Sequence, residues 1–494
     1  MNTVFQIHPE DNVAVCLQQM PAGSTVVCGS RTVTAQTDIP AGHKIALCPI
    51  AKEAKIMKYG FPIGHAAVDI PAGSWVHTQN VKSDLGPLLT YSYHPDFQEQ
   101  IPQMPQTFQG YRRADGSVGI RNEVWIIPTV GCVNAVARQI EQNAQKYLTE
   151  NIDGICSYSH PYGCSQLGGD QEMTLKALSG LIRHPNAGAV LVLSLGCENS
   201  NLQKLKRFLG GYDKERVRFL VCQEQENELE AADQIMQELC AYAGRFHRES
   251  VPADKLVVGL KCGGSDGFSG ITANPLVGAF SDKLTAQGGT TILTEVPEMF
   301  GAEQMLMNRC RDQEVFQKTV DLINHFKGYF MKYGEKINEN PSPGNKAGGI
   351  TTLEDKSLGC VQKGGKAPVE DVLNYGEPVR SKGLNLLQSP GNDLVAACAL
   401  AYSGAHLILF TTGRGTPFGC PVPTVKISSN TRLAKFKKNW IDFNAGVLLE
   451  GASMSDTAQN LFQYVLRLAS GEVHTHSEGL EKHELAIFKD GVTL

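Results

Sequence analysis

The sequence predicts a multidomain α/β protein with a small β-rich unit at its N-terminus. Three observations carry this. From residue 124 onward, short valine- and leucine-rich runs recur, each followed by a glycine-bearing polar loop and, in most cases, a stretch of helical spacing. That alternation is the mark of parallel strands buried on both faces. The first 85 residues lack it and instead repeat the phrase Pro-Ala-Gly three times, at Pro21, Pro40 and Pro71. Between the two regions runs a proline- and glutamine-rich segment with no apolar period, Ser83 to Gly110, which reads as an extended connection. At 494 residues the chain has room for two to four domains. The boundaries read as 1–85 for the β unit, 86–110 for the linker, 111–251 for a middle α/β domain and 252–494 for a C-terminal Rossmann-like domain.

In the β unit, each Pro-Ala-Gly precedes a short β-rich run (Thr25 to Cys28, Lys44 to Leu47, Trp75 to Thr78), so each reads as a turn opening a strand. His43, His65 and His77, with Asn80, are its polar residues of interest. In the middle domain the runs Val124–Val130, Ile155–Ser159 and Ala189–Leu195 read as strands, with Phe219–Cys222 a fourth. Three of the loops carry a Gly-Cys pair, ending in Cys132, Cys164 and Cys197. These thiols either fill tight turns or face one edge and bind metal; no CxxC pair is present, so a zinc-ribbon reading fails. His160 lies in the second of these loops. Arg121 and Asn122 precede the first strand, and an arginine there suits a substrate carboxylate.

The stretch Lys255 to Glu303 holds the densest chemistry. It reads strand, glycine-rich loop, helix, strand, loop, and places Cys262, Ser265 and Asp266, then Glu295 and Glu298, past the carboxyl ends of two parallel strands. Open α/β sheets bind ligands at that edge. Neither a phosphate-loop lysine nor GxGxxG is present, so a small carboxylate fits better than a nucleotide. Carboxylates clustered with a thiol suit a metal or an acid–base site. Farther on, Asn338 to Gly365 reads as a long polar loop closing over a site, with Lys356 and Cys360 in it. Arg414 and Thr416 follow a later strand and form a second candidate anion clamp.

Composition excludes several classes. Net charge is −5 and no basic stripe is present, which argues against nucleic acid. No apolar run reaches membrane-spanning length and no secretory pattern opens the chain. The 14 cysteines then read as reduced thiols of a cytoplasmic protein.

The phrases GIRNEVWIIPTVGCVN, YGCSQLG, KCGGSDGFSGITANP, TEVPEMFGAE, NPSPGNKAGGITTLEDKSLGC, TGRGTPFG and AIFKDGVTL resemble the altronate/galactarate dehydratase family along the whole chain. A lyase acting on sulfolactate is a more distant likeness. The resemblance implies an N-terminal β-clip (SAF-type) domain, a middle domain that dimerises, a Rossmann-like C-terminal domain and dependence on Fe²⁺ or Mn²⁺. Length and the ending GVTL point within the family toward the dehydration of D-altronate to 2-dehydro-3-deoxy-D-gluconate, galactarate being the alternative. A C2 proton beside a carboxylate is weakly acidic, so such a reaction needs a base, an acid for the C3 hydroxyl, and cations to hold the enediolate. The expected proton-moving residues are His43, His77, His160 and Lys356. The expected substrate contacts are Arg121, Asn122, Ser265, Asp266, Arg414 and Thr416. The expected metal ligands are Cys262, Glu295, Glu298 and Cys360, with a cluster on Cys132, Cys164 and Cys197 as the competing idea. Two other classes stay open at this point: an NAD-linked oxidoreductase, against which the missing fingerprint speaks, and a sugar-acid-binding protein, against which the many polar loops at strand ends speak.

Overall fold

Turn chemistry shapes the N-terminal unit. In the computed structural model, which describes residues 3–86, 88–480 and 484–494, each Pro-Ala-Gly phrase is a turn with its glycine in the left-handed region: Gly23 at φ 80°, Gly42 at 83° and Gly73 at 82°. The next residue donates back to the proline carbonyl, as in Ser24 to Pro21 at 3.1 Å and His43 to Pro40 at 3.2 Å. Positive φ at the third position marks a type II turn, which glycine adopts without strain. These turns link small antiparallel sheets. The largest has the order Val4–Phe5, Val13–Cys16, Lys44–Ala46, Trp75–Val76; a three-stranded one joins Lys55–Lys58, Phe61–Ala66 and Val81–Lys82.

The linker is extended for most of its length and is tied down on the C-terminal domain. Asp96 N–H donates to Asn308 O at 2.7 Å, Gln103 N–H to Ala286 O at 2.7 Å, and the Tyr91 hydroxyl to Glu303 at 2.6 Å. Its last residues differ from the reading as linker. Thr107–Arg112 is a strand, paired antiparallel with Arg248–Pro252. The sequence there alternates too briefly to show a strand whose partner lies beyond an entire domain.

The middle sheet is parallel, in the order Gly154–Ser157, Glu123–Pro128, Ala187–Ser194, Val217–Val221. All eight residues of Ala187–Ser194 are buried, as expected for a strand covered on both faces. The C-terminal sheet has seven parallel strands, in the order Val369–Leu373, Gly383–Leu387, Thr290–Leu293, Val257–Cys262, Leu407–Thr412, Thr424–Ser428, Phe443–Asn444. From Val257–Cys262 the chain first builds outward through Thr290–Leu293 and later returns to add Leu407–Thr412 on the opposite side. That reversal opens a crevice at the carboxyl end of Val257–Cys262.

The segment read as a long loop, Asn338 to Gly365, is instead mostly helical. It holds the helices Pro343–Ala347 and Leu353–Cys360 and a 3₁₀ turn, Val361–Gly364. Ser342 caps the first helix reciprocally with Asn345, and Thr352 caps the second by accepting from Asp355 N–H. The glycines around these caps hid the helices. The second helix sets Lys356 and Cys360 four residues apart, on one face. Among the described residues no helix is long and apolar enough to cross a membrane.

Candidate active site

Two neighbouring strands and one helix converge on a buried cluster. Cys262 closes the strand Val257–Cys262, while Glu295 and Glu298 follow the adjacent strand Thr290–Leu293. Glu295 sits in the left-handed region at φ 69°, a conformation a glutamate holds only when its surroundings fix it. Its carboxylate accepts from Lys261 Nζ at 2.9 Å and from the Cys262 N–H at 2.9 Å. Glu298 turns the other way. Its Oε2 lies 3.1 Å from Cys262 Sγ and its Oε1 2.7 Å from Lys356 Nζ. Cys262 Sγ stands 3.5 Å from Cys360 Sγ and accepts from Lys363 Nζ at 3.0 Å. Lys261 also reaches Asp393 at 2.8 Å.

Burial and these partners set the charges. The Cys360 thiol donates to Cys262 and, with Lys363 and Lys356, overcomes burial to lower the Cys262 pKa to about 6. Cys360 is pushed up by the same bond and by burial. Burial raises the Glu298 carboxyl, but Lys356 and Lys363 outweigh it and bring it to about 2. Burial and the Glu298 charge push Glu295 up despite Lys261. The cluster at neutral pH is a thiolate and a carboxylate held by ammonium groups.

The N-terminal domain lies directly over this edge. Lys44 Nζ and Lys58 Nζ both reach Asp355, at 2.9 and 2.8 Å, all three side chains shielded from water. Lys44 also donates to Gly349 O at 2.8 Å. Glycines make the close approach possible. A Cβ on Gly267 would stand 1.9 Å from Gly42 O, and one on Gly270 would stand 2.0 Å from the Tyr59 hydroxyl oxygen. The His43 ring is fixed by Trp75 Nε1–H, 3.2 Å from its Nδ1, and by Ala347 O, 3.3 Å from its Nε2. His77 packs against both His43 and Trp75. Burial, then Lys44 and His43, lower its pKa to about 4, so it is neutral at pH 7, and its Nδ1 is buried without a hydrogen-bond partner. Ser265 Oγ is likewise unpartnered. Between the domains lies a cavity of about 10 Å³, lined by Tyr59, Ser265, Asp355, Lys356 and Cys360 among others. That is room for a single water.

The expected site residues thus divide. Cys262, Glu298, Cys360 and Lys356 come together, Glu295 joins through Lys261, and His43, His77 and Ser265 border the same region. Asp266 is a structural tie: it accepts from Ser269, Ser429 and Asn430 and so pins the glycine-rich loop to the loop after Thr424–Ser428. Arg414 is exposed and donates to Gly344 O at 3.0 Å, while Thr416 accepts from the Phe418 N–H. Arg121 and Asn122 stand at the opposite, amino end of a middle-sheet strand. Arg121 is committed to Glu478 at 2.8 Å and to two backbone carbonyls, and Asn122 bonds Arg113, Asn151 O and Ala243 O. His160 is buried in the middle domain with Nε2 2.8 Å from Pro128 O, and burial lowers its pKa to about 4. The structure does not bring Arg121, Asn122 or His160 to the cluster. Sequence reasoning missed Lys261, Lys363, Lys44, Lys58, Tyr59 and Asp355. Lys261, the penultimate residue of a buried strand, was the legible signal, because an unpaired ammonium there is too costly to leave uncompensated.

Cys262, Glu298 and Cys360 each offer a ligand atom within 4.8 Å of the others, and among the described residues this is the one such triple. Two sulfurs and one oxygen suit iron better than magnesium or calcium. The donors fit a divalent ion. Lys363 bonds Cys262 Sγ and Lys356 bonds Glu298 Oε1, so a bound ion would displace the Lys363 ammonium from the sulfur.

Comparisons with known proteins cover the full chain. The model of the altronate/galactarate dehydratase SAF domain matches residues 2–84, that of the D-galactarate dehydratase/altronate hydrolase second domain 110–244, and that of the D-galactarate/altronate dehydratase C-terminal domain 253–493. Altronate dehydratase of Escherichia coli (strain K12) is 53% identical over 493 residues, covering 99% of both chains. Altronate dehydratase of Bacillus subtilis (strain 168) is 51% identical over 501 residues, covering all of both. Galactarate dehydratase (L-threo-forming) of E. coli K12 is 34% identical, covering 98% of this chain and 96% of that one. The chain belongs to the D-galactarate/altronate dehydratase family.

Proposed function

We propose that this chain is a hydro-lyase that dehydrates D-altronate to 2-dehydro-3-deoxy-D-gluconate. The observation that carries the substrate is the gap in identity: 53% and 51% to two altronate dehydratases against 34% to a galactarate dehydratase, all over nearly the whole chain.

The buried cluster supplies what the chemistry needs. An Fe²⁺ or Mn²⁺ ion held by Cys262, Glu298 and Cys360 would act as a Lewis acid toward the substrate's oxygens. Burial lowers the Lys356 ammonium, but Glu298, first among its partners, outweighs that and holds it above the ordinary lysine value. It therefore stays charged and stabilises the negative charge that grows on the carboxylate side of the enediolate instead of accepting a proton. His77, neutral and with a free ring nitrogen, moves the proton. His43, held on both sides, positions it. The N-terminal domain must lift to admit a six-carbon acid, and its return excludes water from the intermediate. The reading includes a cytoplasmic homodimer formed through the middle domain, with a mass twice that of the chain in solution.

Dehydration run in D₂O tests the reaction itself. Proton loss at C2, departure of the C3 hydroxyl and ketonisation place one deuterium at C3 of the product. Altronate recovered unchanged, or oxidised with a nicotinamide, would sink the proposal.

A further inference from the structure

Of the 14 cysteines, Cys132, Cys164 and Cys197 are the exposed ones. The others are buried or half-buried, as is usual for this residue type. The three lie in one place. Cys164, Cys132 and Cys197 follow the adjacent strands Gly154–Ser157, Glu123–Pro128 and Ala187–Ser194, and because these strands are parallel all three thiols stand at the same carboxyl edge of the middle sheet.

The three loops are also locked to one another. Gly131 N–H donates to Tyr162 O at 2.9 Å, and Ser200 N–H to Gly163 O at 3.0 Å. Ser165 N–H donates to Asn199 Oδ1 at 2.9 Å. Glu198, buried between them, accepts from Thr129 Oγ1 and Ser194 Oγ, both at 2.5 Å, and from Gly196 N–H at 2.7 Å. A Cβ on Gly163 would meet Thr129 O at 2.0 Å. Ser165, just after Cys164, is held at φ 58°. A rigid frame of this kind presenting three thiols to solvent is a preorganised ligand set, not a packed core.

The spacing argues against a single small ion. These thiols do not all lie within 4.8 Å of one another, a separation that Cys262, Glu298 and Cys360 do meet. A single tetrahedral ion with metal–sulfur bonds of ~2.3 Å draws its thiolates to roughly 4 Å apart. A cube of iron and sulfide is larger and takes thiolates standing farther apart. Three is an odd number for disulfides, and pairing two would leave the third exposed. We infer that Cys132, Cys164 and Cys197 bind a [4Fe–4S] cluster at the carboxyl edge of the middle sheet. Each thiol gives up its proton and forms one iron–sulfur bond; two Fe²⁺, two Fe³⁺ and four sulfides arrive from outside, so the [4Fe–4S]²⁺ state assembles with no change in oxidation state of iron, sulfide or protein. Three thiols would leave the fourth iron open to a hydroxyl or carboxylate oxygen. This centre is separate from the Cys262 site and stands whether or not altronate is the substrate.

The test uses the full-length protein with its thiols reduced and the reductant removed, incubated anaerobically with equal Fe²⁺ and Fe³⁺ and with sulfide, then desalted. Acid-labile sulfide distinguishes a cluster from any single ion. The expected result is about four sulfides per chain, a broad visible absorption band, and a paramagnetic signal after reduction. Cys132→Ser, Cys164→Ser and Cys197→Ser should each remove most of the sulfide and the band while the melting temperature of the cluster-free protein stays put, since all three side chains are exposed. Cys262→Ser should keep both. Wild-type protein that retains no sulfide, or a band that survives all three substitutions, or one lost only with Cys262, would overturn the assignment.

Discussion

Lys44 of the N-terminal domain places its ammonium 2.9 Å from the carboxylate of Asp355 on the C-terminal domain, and neither side chain is exposed to water. Lys58 holds the other oxygen at 2.8 Å. Burial alone would raise the Asp355 carboxyl, but the two lysines outweigh it and hold it well below the usual carboxylate range. The domains are thus latched by charge, over the edge where the cluster of Cys262, Glu298 and Lys356 lies.

Asp355→Asn should unlatch the domain. Removing one partner from a buried ion pair costs about 3–5 kcal/mol, here set against docking. Protease should then cut the linker between residues 86 and 106 much faster than in the parent chain. The sign of the pH effect follows from the lowered carboxyl. The latch is fully present from the ordinary Asp value near pH 4 up to about pH 8, to which burial lowers Lys44, and on the acid side it is lost only as pH falls through the lower folded value of Asp355. Linker protection that fades between pH 6 and 5 would contradict this.

Gly270→Ala should act at the same contact by sterics. Its Cβ would lie 2.0 Å from the Tyr59 hydroxyl and 3.0 Å from Gly359 Cα. Turnover should fall at least tenfold, and Tyr59→Phe, which removes the struck oxygen, should restore part of it. Absence of rescue would place the damage on the Gly359 side.

The sequence carried the strand order of chemistry better than its packing. Val257–Cys262 and Thr290–Leu293 were readable as neighbouring parallel strands because valine-rich runs ending in polar loops have few other meanings, and Cys262 and Glu298 followed from that. Lys44, Lys58 and Asp355 were not readable. Each is a common surface residue in its local context, and only docking of two domains separated by about three hundred residues gives them partners. Arg121 failed in the opposite way. An arginine beside a strand suits an anion, yet Arg121 stands at the amino end of its strand, away from the carboxyl edge where ligands bind, and Glu478 already neutralises it.

Glu298→Gln should lower metal affinity by ten- to a hundredfold, read by equilibrium dialysis with Mn²⁺. The substitution removes the charged oxygen ligand and leaves Lys356, now 2.7 Å from Glu298, without its main counterion. Unchanged Mn²⁺ affinity would remove Glu298 from the ligand set.

His77→Ala and His43→Ala should separate. A residue that moves a proton contributes about 10²- to 10⁴-fold, so His77→Ala should cut kcat by that order with little change in melting temperature. His43→Ala loses the bonds to Trp75 and Ala347 and should loosen the domain, raising linker cleavage as well as lowering turnover. Full activity of His77→Ala would leave the N-terminal domain only a covering role.

The most direct measurement compares kcat/KM for D-altronate and galactarate with the same purified, Fe²⁺-loaded protein under anaerobic conditions, following release of the 2-keto-3-deoxy acid without nicotinamide. The account predicts turnover of altronate with at least a hundredfold preference. Turnover of galactarate with none of altronate, or no keto acid from either, would contradict it.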